Sequence, residues 1–133
     1  MARGAGYGRP MHEGLGELLG IEIVDMEADG AAVELEADDR HVNAHGTVHG
    51  GAIATLIDTA MGAAVRREDT GDEAPVTIEM KVTYLRPAKP GRLRAEGAIR
   101  RRGNRIVVAE ADVFDADGEA VAHGIGTFTS VSG

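Results

Sequence analysis

The sequence predicts an α+β domain in which an antiparallel sheet of about five or six strands wraps around one long central helix. Two segments typical of strands precede a single long apolar helix, and further strand segments follow it. Strands and helices do not alternate, so a doubly wound parallel sheet is not expected. The chain has 133 residues, which suits one domain. We expect residues 1–10 to be a disordered N-terminal segment and residues 11–133 to form the domain.

The elements before the long helix are short. Residues 11–19 predict a brief helix that two glycines weaken. Residues 21–26 and 31–37 favour two strands, and the Asp29-Gly30 pair between them is typical of a tight turn. This part of the chain therefore predicts a β-hairpin.

The central helix is predicted over residues 51–65, where Asp58 is the only charged residue. Apolar residues recur three, four and seven positions apart and share one helical stripe, which consists of Ile53, Leu56, Ile57, Ala60 and Ala64. Further apolar residues widen the stripe, so we expect the helix to be deeply buried. Arg66 and Arg67 follow it and suit the negative end of its dipole.

A loop over residues 68–75 and then four strand segments are predicted after the helix. The strands cover residues 76–85, 92–102, 106–114 and 120–131. Turn residues at Gly103-Asn104 and Asp117-Gly118 separate the last three of them. Because a sheet of this size has exposed edges, pairing with a second copy is favoured.

The composition excludes several classes of protein. The chain contains no cysteine, which excludes disulfides, thiolate metal sites and a cysteine nucleophile. It has no apolar run of about 18 residues, so no membrane helix is expected. The N-terminus lacks the apolar stretch of a secretory signal, and we expect a cytoplasmic protein without membrane contact. The net charge of -8 argues against a nucleic acid partner.

The charges are distributed unevenly. Residues 81–105 contain nine basic residues and one acidic residue, whereas the rest of the chain is strongly acidic. Such a segment can form a surface that attracts an anion. It can equally consist of solvated strand faces whose arginines pair with nearby carboxylates, and the sequence leaves both interpretations open.

Asp58 is the first candidate for chemistry, because a buried carboxylate is costly unless it has a partner. No residue three or four positions away can pair with its charge. The carboxylate therefore either accepts hydrogen bonds from a loop or serves as a positioned base or nucleophile.

The segment HVNAHGTVHGG, residues 41–51, leads into the helix. Its three histidines, four positions apart, would share a helical face suited to a metal ion, but its glycines disfavour a continuous helix. No metal site is therefore expected. Gly50 and Gly51 precede the helix, whose first N–H groups lack partners and can hold a developing oxyanion. The alternative is a flexible helix entry, and Asn43 is either a turn residue or a polar group of the same pocket.

Two stretches, HVNAHGTVHGGAIATLIDTAMGAAV and VTIEMKVTYLRPAKPG, resemble the hotdog-fold acyl-CoA thioesterases of the phenylacetic-acid-pathway type. The resemblance covers residues 15–128, and its most specific pattern is N-x6-G-G-x6-D with HGG at the helix entry. The hotdog fold agrees with the order of elements above. The implied activity is hydrolysis of an acyl- or aryl-acyl-CoA to the free acid and coenzyme A, without a cofactor.

The resemblance also implies roles for the matching positions. Asp58 matches the catalytic carboxylate, which acts as general base or nucleophile, and Gly50 matches the residue whose N–H polarises the thioester carbonyl. Asn43 and Thr77 match residues that orient the thioester or the attacking water, and His49 matches the histidine that shapes the loop. These sites lie at a dimer interface in the family, which implies a homodimer that pairs again into a homotetramer.

The basic segment is a plausible seat for the phosphates of coenzyme A. The residues that we expect to contact the substrate or its coenzyme A are Gly51, Arg86, Lys89, Arg100 and Arg102. A second hypothesis is a non-catalytic module of the same fold that binds or senses acyl-CoA. The retained catalytic residues argue against it, and the His and acid arrangement of a hotdog hydratase is not found.

Overall fold

A computed structural model describes residues 14–66 and 73–132. In chain order the elements are α1 (Leu15–Leu19), β1 (Glu22–Glu27), β2 (Gly30–Ala37), a 3-10 helix (Asp39–His41), α2 (Gly50–Val65), β3 (Glu73–Tyr84), β4 (Gly91–Arg102), β5 (Val107–Phe114) and β6 (Ala120–Ser132). The helices and strands predicted from the sequence are present, and their described ends lie within a few residues of those expected. The expected start of the first helix, at residue 11, lies outside the described residues. The expected disordered segment over residues 1–10, Arg67 and most of the expected loop lie outside the described residues.

All six strands form one antiparallel sheet in the order β1-β2-β4-β5-β6-β3. The helix α2 lies across one face and contacts every strand, which confirms the predicted α+β architecture. The strand β3 begins three residues earlier than expected and includes Pro75. Proline is tolerated there because β3 is an edge strand. None of the described helices is long and apolar enough to cross a membrane.

Small residues on the inner face of the sheet allow α2 to lie very close to it. A Cβ atom at Gly97 of β4 would lie 2.5 Å from the carbonyl oxygen of Ala60, and one at Gly124 of β6 would lie 2.6 Å from Cγ2 of Ile57. Both glycines are therefore required by close packing against the helix. The predicted apolar stripe of α2 is buried throughout, so the expectation of a deeply buried helix is confirmed.

The C-terminal end of α2 is held by a side chain from the sheet. Arg102 of β4 donates hydrogen bonds to the carbonyl oxygens of Val65, at 3.1 Å, and Ala64, at 3.5 Å. The same guanidinium pairs with Asp29 in the β1–β2 turn at 2.9 Å. A cation at this position satisfies terminal carbonyls and suits the helix dipole. Arg66, which the sequence places at this end, is the exposed C-cap residue.

The edge strand β3 exposes apolar side chains. Val76 is 42% exposed and Ile78 is 52% exposed. The register of β3 against β6 shifts between Thr77 and Glu79, so Ile78 lies in a bulge. An exposed apolar edge of this kind suits pairing with another chain.

Candidate functional site

Asp58 lies half-buried in the middle of α2, and its partner comes from the edge strand. The hydroxyl of Thr77 donates a hydrogen bond of 2.6 Å to Oδ1 of Asp58. Thr77 faces the helix because it is opposite the buried Phe128 of β6, and opposed residues of a ladder share a face. The donor to Asp58 that the structure describes thus comes from strand β3, and a role for this carboxylate as base or nucleophile stays a prediction.

Counted over the described residues, one backbone N–H at the N-terminal end of α2 has no acceptor. Ala52 and Ile53 donate to the carbonyl oxygen of His49, at 3.0 Å and 3.3 Å, and Gly51 donates to Nδ1 of the His49 ring at 2.8 Å. The N–H of Gly50 has no acceptor in the described part of the chain. Gly50 is therefore a hydrogen-bond donor available at the positive end of a helix dipole.

Asn43 organises the loop that precedes α2. Its side-chain oxygen accepts from the N–H groups of His45, at 2.8 Å, and Thr47, at 3.3 Å. Its amide nitrogen donates to the hydroxyl of Thr47 at 2.9 Å, which leaves the second amide hydrogen for another acceptor. The hydrogen bonds confirm that Asn43 is a turn residue. Its second amide hydrogen is the group that could bind a ligand in a pocket.

The histidines of this loop have separate tasks. His41 is buried, its Nδ1 accepts from the N–H of Asp38 at 2.9 Å, and its Nε2 lies 2.8 Å from the carbonyl oxygen of Leu19. His49 uses Nδ1 to cap α2, and the influence on the loop that the resemblance implies for it stays a prediction. Among the described residues no group of three or more potential ligands is placed to hold a metal ion.

Hydrogen bonds also order the start of this segment. The side chain of Arg40 donates to the Asp38 carboxylate, and this hydrogen bond is the main reason that the pKa of Asp38 is lowered to about 2. Asp38 in turn caps the 3-10 helix that leads to His41. The loop is therefore held at its beginning by Asp38 and at its end by His49.

These groups form two clusters that a single chain keeps apart. Asp58 and Thr77 form one. The other consists of Asn43 and Gly50 in the segment that leads into α2, whose two ends are joined by the hydrogen bond from the N–H of His49 to the carbonyl oxygen of His41. Gly50 and Asp58 are eight residues apart in α2, so they are separated by about 12 Å along the helix axis. A reacting carbonyl must lie within about 3 Å of both an oxyanion donor and the attacking group. Within one chain the Gly50 N–H and the Asp58 carboxylate are therefore too far apart to contact the same carbonyl.

The basic candidates are divided among three places. Arg86 and Lys89 line a surface groove of about 590 Å³ that also contains Thr47 from the Asn43 loop. Arg100 pairs with Glu110 at 3.4 Å on the outer face of the sheet. Arg102 lies at the C-terminal end of α2, about 22 Å from Gly50 by helix length. Within one protomer Arg100 and Arg102 therefore lie away from the start of α2, and their expected contact with coenzyme A stays a prediction.

Much of the positive charge in the basic segment is paired within the sheet, as one of the two interpretations expected. Arg94 has a raised pKa because it is hydrogen-bonded first to Glu96 and then to Glu34. Arg86 pairs with Glu119 at 3.2 Å, and both side chains are exposed. Lys89 is exposed and has no ion pair with a described residue, so it is the basic group of the groove most available to an anion.

Sequence reasoning missed Tyr84. Its hydroxyl donates a hydrogen bond of 2.7 Å to the carbonyl oxygen of Gly50. Tyr84 is the last residue of β3 and lies opposite the buried Ala122, so its ring faces the helix. Tyr84 is 50% exposed, so burial of its phenol gave no signal, and only its inward-facing position at the end of β3 pointed towards the helix.

Comparisons with known proteins agree with this arrangement. A family model described as the thioesterase superfamily matches residues 45–122. Human acyl-coenzyme A thioesterase 13 is 31% identical, over 78% of this chain and 75% of its own length. The solved structure of a conserved protein from Pseudomonas aeruginosa is 34% identical with a TM-score of 0.84, over 92% of this chain and 97% of that chain. The Escherichia coli PaaI protein from the phenylacetic acid degradation operon is 26% identical with a TM-score of 0.82, over 92% and 87%.

The sheet wrapped around α2 is thus the hotdog fold, and a molecule with this fold and these relatives is a thioester hydrolase. The chain belongs to the thioesterase superfamily. The resemblance noted from the sequence is confirmed at the level of family, fold and reaction class.

Proposed function

We propose that the chain hydrolyses acyl-CoA thioesters to the free acid and coenzyme A. The observation that most supports this proposal is that the N–H of Gly50, at the start of α2, has no acceptor among the described residues. A donor in this position can stabilise the negative charge that develops on a thioester oxygen during attack. Loss of one such donor typically costs about 3–4 kcal/mol, or 10²–10³ in rate.

Asp58 supplies the second half of the reaction as general base or nucleophile. Thr77 occupies Oδ1 of the carboxylate, which leaves Oδ2 to accept a proton from water or to attack the carbonyl carbon. With Asp58 as base, water adds to the carbonyl and its proton passes to the carboxylate; collapse of the tetrahedral species then releases the coenzyme A thiolate, which takes up the proton. General-base assistance of this kind contributes about 10²–10⁴ in rate.

The active form is a homodimer in which the two clusters meet across an interface. The 12 Å axial separation estimated from helix geometry keeps Gly50 from Asp58 within one chain. The exposed apolar edge of β3, with Val76 and Ile78, offers a surface for the second copy. Asp58 and Thr77 of one copy would then face Asn43 and Gly50 of the other. A homotetramer and a cytoplasmic location stay predictions from the sequence.

The coenzyme A part of the substrate is proposed to lie in the groove of Arg86 and Lys89. A hydrogen bond of 2.8 Å from the N–H of Val48 to the carbonyl oxygen of Ala88 joins this segment to the loop before α2. The groove therefore adjoins the Gly50 cluster. Arginine and lysine are suitable partners for phosphate groups.

The test is release of free thiol from a panel of acyl-CoA thioesters, from short aliphatic to aryl. Asp58→Asn is expected to fold and dimerise but to lose at least about 100-fold in kcat. Asp25→Asn, the same change on the exposed part of β1, is the matched control and should retain full activity. Near-normal kcat in Asp58→Asn would contradict the assigned role. Binding without thiol release across the panel would favour the acyl-CoA-sensing module instead.

A further inference from the structure

The peptide group that joins Gly50 to Gly51 is hydrogen-bonded at both of its ends. Its carbonyl oxygen accepts the 2.7 Å hydrogen bond from the hydroxyl of Tyr84. Its N–H donates the 2.8 Å hydrogen bond to Nδ1 of His49. A diglycine sequence at a helix start has unusually large backbone freedom, and these two side chains restrict it.

The two rings occupy the space that side chains would take. A Cβ atom at Gly50 would lie 3.2 Å from the hydroxyl oxygen of Tyr84 and 3.3 Å from Cζ of its ring. A Cβ atom at Gly51 would lie 3.0 Å from Nδ1 of His49. The glycines therefore do more than admit a substrate to the backbone, because they allow both rings to reach the peptide group.

The preceding peptide group, between His49 and Gly50, is the one with the free N–H. Its carbonyl oxygen accepts from both Ala52 and Ile53, so its orientation depends on the helix on one side. On the other side Gly50 links it to the peptide group that Tyr84 holds. Rotation about the Gly50 Cα bonds is thus limited from both sides.

We propose that Tyr84 is a positioning residue for the oxyanion donor. Its hydroxyl holds the Gly50 carbonyl and so keeps the Gly50 N–H aimed at one point. This inference rests on the proposed role of Gly50. An oxyanion donor is effective only within about 2.7–3.1 Å of the charged oxygen, so a wider range of Gly50 orientations lowers kcat. Ground-state binding of the thioester does not depend on that alignment, so KM is expected to change little.

The variant Tyr84→Phe tests this, because it removes the hydroxyl and keeps the ring. With the substrate that the wild type turns over best, we expect kcat to fall about three- to tenfold. KM is expected to stay within about twofold. The Thr127→Val variant is the matched control, since it removes another 2.7 Å hydroxyl hydrogen bond, to Glu79 on the outer face of the sheet. Its kcat should equal that of the wild type.

An NMR measurement reports on the peptide group without any turnover. The amide nitrogen of Gly51 belongs to the peptide group whose carbonyl Tyr84 holds, so its ¹⁵N resonance should shift in Tyr84→Phe and not in Thr127→Val. A shifted Gly51 resonance together with an unchanged kcat would overturn the positioning role, and so would an unchanged resonance. A loss of affinity with unchanged kcat would also overturn it, because Tyr84 would then act in binding.

The same measurements separate this inference from the proposed function. Loss of activity in Asp58→Asn with a normal Tyr84→Phe enzyme leaves the thioesterase mechanism standing and refutes the role of Tyr84. An active Asp58→Asn enzyme refutes the assigned base. A reduced kcat in Tyr84→Phe would then still support the positioning of Gly50.

Discussion

Replacing Gly97 with alanine is expected to disturb stability and turnover together. Gly97 lies on the inner face of β4, directly beneath α2. The added Cβ would lie 2.5 Å from the carbonyl oxygen of Ala60 and 3.2 Å from the nitrogen of Met61. An ordinary contact begins near 3.4 Å, so helix and sheet must separate locally by about 0.9 Å. Both partners are backbone atoms, which cannot rotate away as a flexible side chain could.

The cost follows from this forced separation. Overpacking a dense core typically costs about 1–3 kcal/mol, and we expect Gly97→Ala at the upper end of that range. For a chain of this length, each kcal/mol corresponds to about 4 °C in Tm. The variant should therefore unfold about 10 °C below the wild type.

The effect on turnover comes from Asp58, which is only two residues from Ala60 on the same helix. Its hydrogen bond to Thr77 depends on the distance between α2 and the sheet. A displacement of about 1 Å in a catalytic group can lower the rate about 100-fold. We therefore expect kcat to fall by about 10- to 100-fold at temperatures where the variant is folded.

Thermal unfolding and thiol release are measured on the same variants. The protomer concentration is kept fixed, because the Tm of a protein that dimerises depends on its concentration. Gly30→Ala is the matched control. Gly30 is also in a strand of the sheet, and its added Cβ would lie 3.5 Å from the nearest atom, the carbonyl oxygen of Gly97. A Gly97→Ala protein with the Tm and kcat of the wild type would refute this expectation, and so would equal losses of Tm and kcat in Gly30→Ala.

The remaining predictions concern the side chains around the site. Thr77→Val should lower kcat about 10- to 100-fold in the thiol-release assay, because it removes a hydrogen bond to a charged group; an unchanged kcat would contradict the role of Thr77. Arg102→Gln should lower Tm by several degrees in thermal unfolding and leave KM unchanged. A raised KM would instead indicate that Arg102 contacts the substrate. Charge reversal of Arg86 and Lys89 to glutamate should raise KM for acyl-CoA more than for a short thioester without the nucleotide. Arg100→Glu, on the outer face of the sheet, is the control for this double variant. An equal rise in KM for both substrates would contradict phosphate binding by Arg86 and Lys89.

Local patterns explain why so much of the fold was accessible from the sequence. The spacing of Ile53, Leu56 and Ile57 indicates a buried helix without any knowledge of the elements that cover it, and that helix is present. Likewise the Asp29-Gly30 turn is a property of neighbouring residues, and Asp29 has the positive φ of 65° that such a turn uses. Both predictions depended only on residues that are close together in the sequence.

The assignment of Arg100 and Arg102 to a phosphate-binding surface stays a prediction, because a count of charges does not determine which face of the sheet each side chain occupies. Both residues lie on β4, but the register shifts between Ile99 and Arg101. Arg102 is turned towards the end of α2, while Arg100 pairs with Glu110 on the outer face. A strand bulge of this kind reverses which side chains face inwards, and the pattern of charges in the sequence does not predict it.

The sequence by itself determined the order of elements, the buried helix with its single carboxylate, and the glycine pair at its start. Those features follow from periodicity and backbone preference, which act between near neighbours. Only the tertiary structure decided which donors surround them. The hydroxyls of Thr77 and Tyr84 reach Asp58 and Gly50 from 19 and 34 residues away in the chain. Contacts over such separations depend on the strand register and on how closely the helix packs against the sheet, and these are set by the fold as a whole.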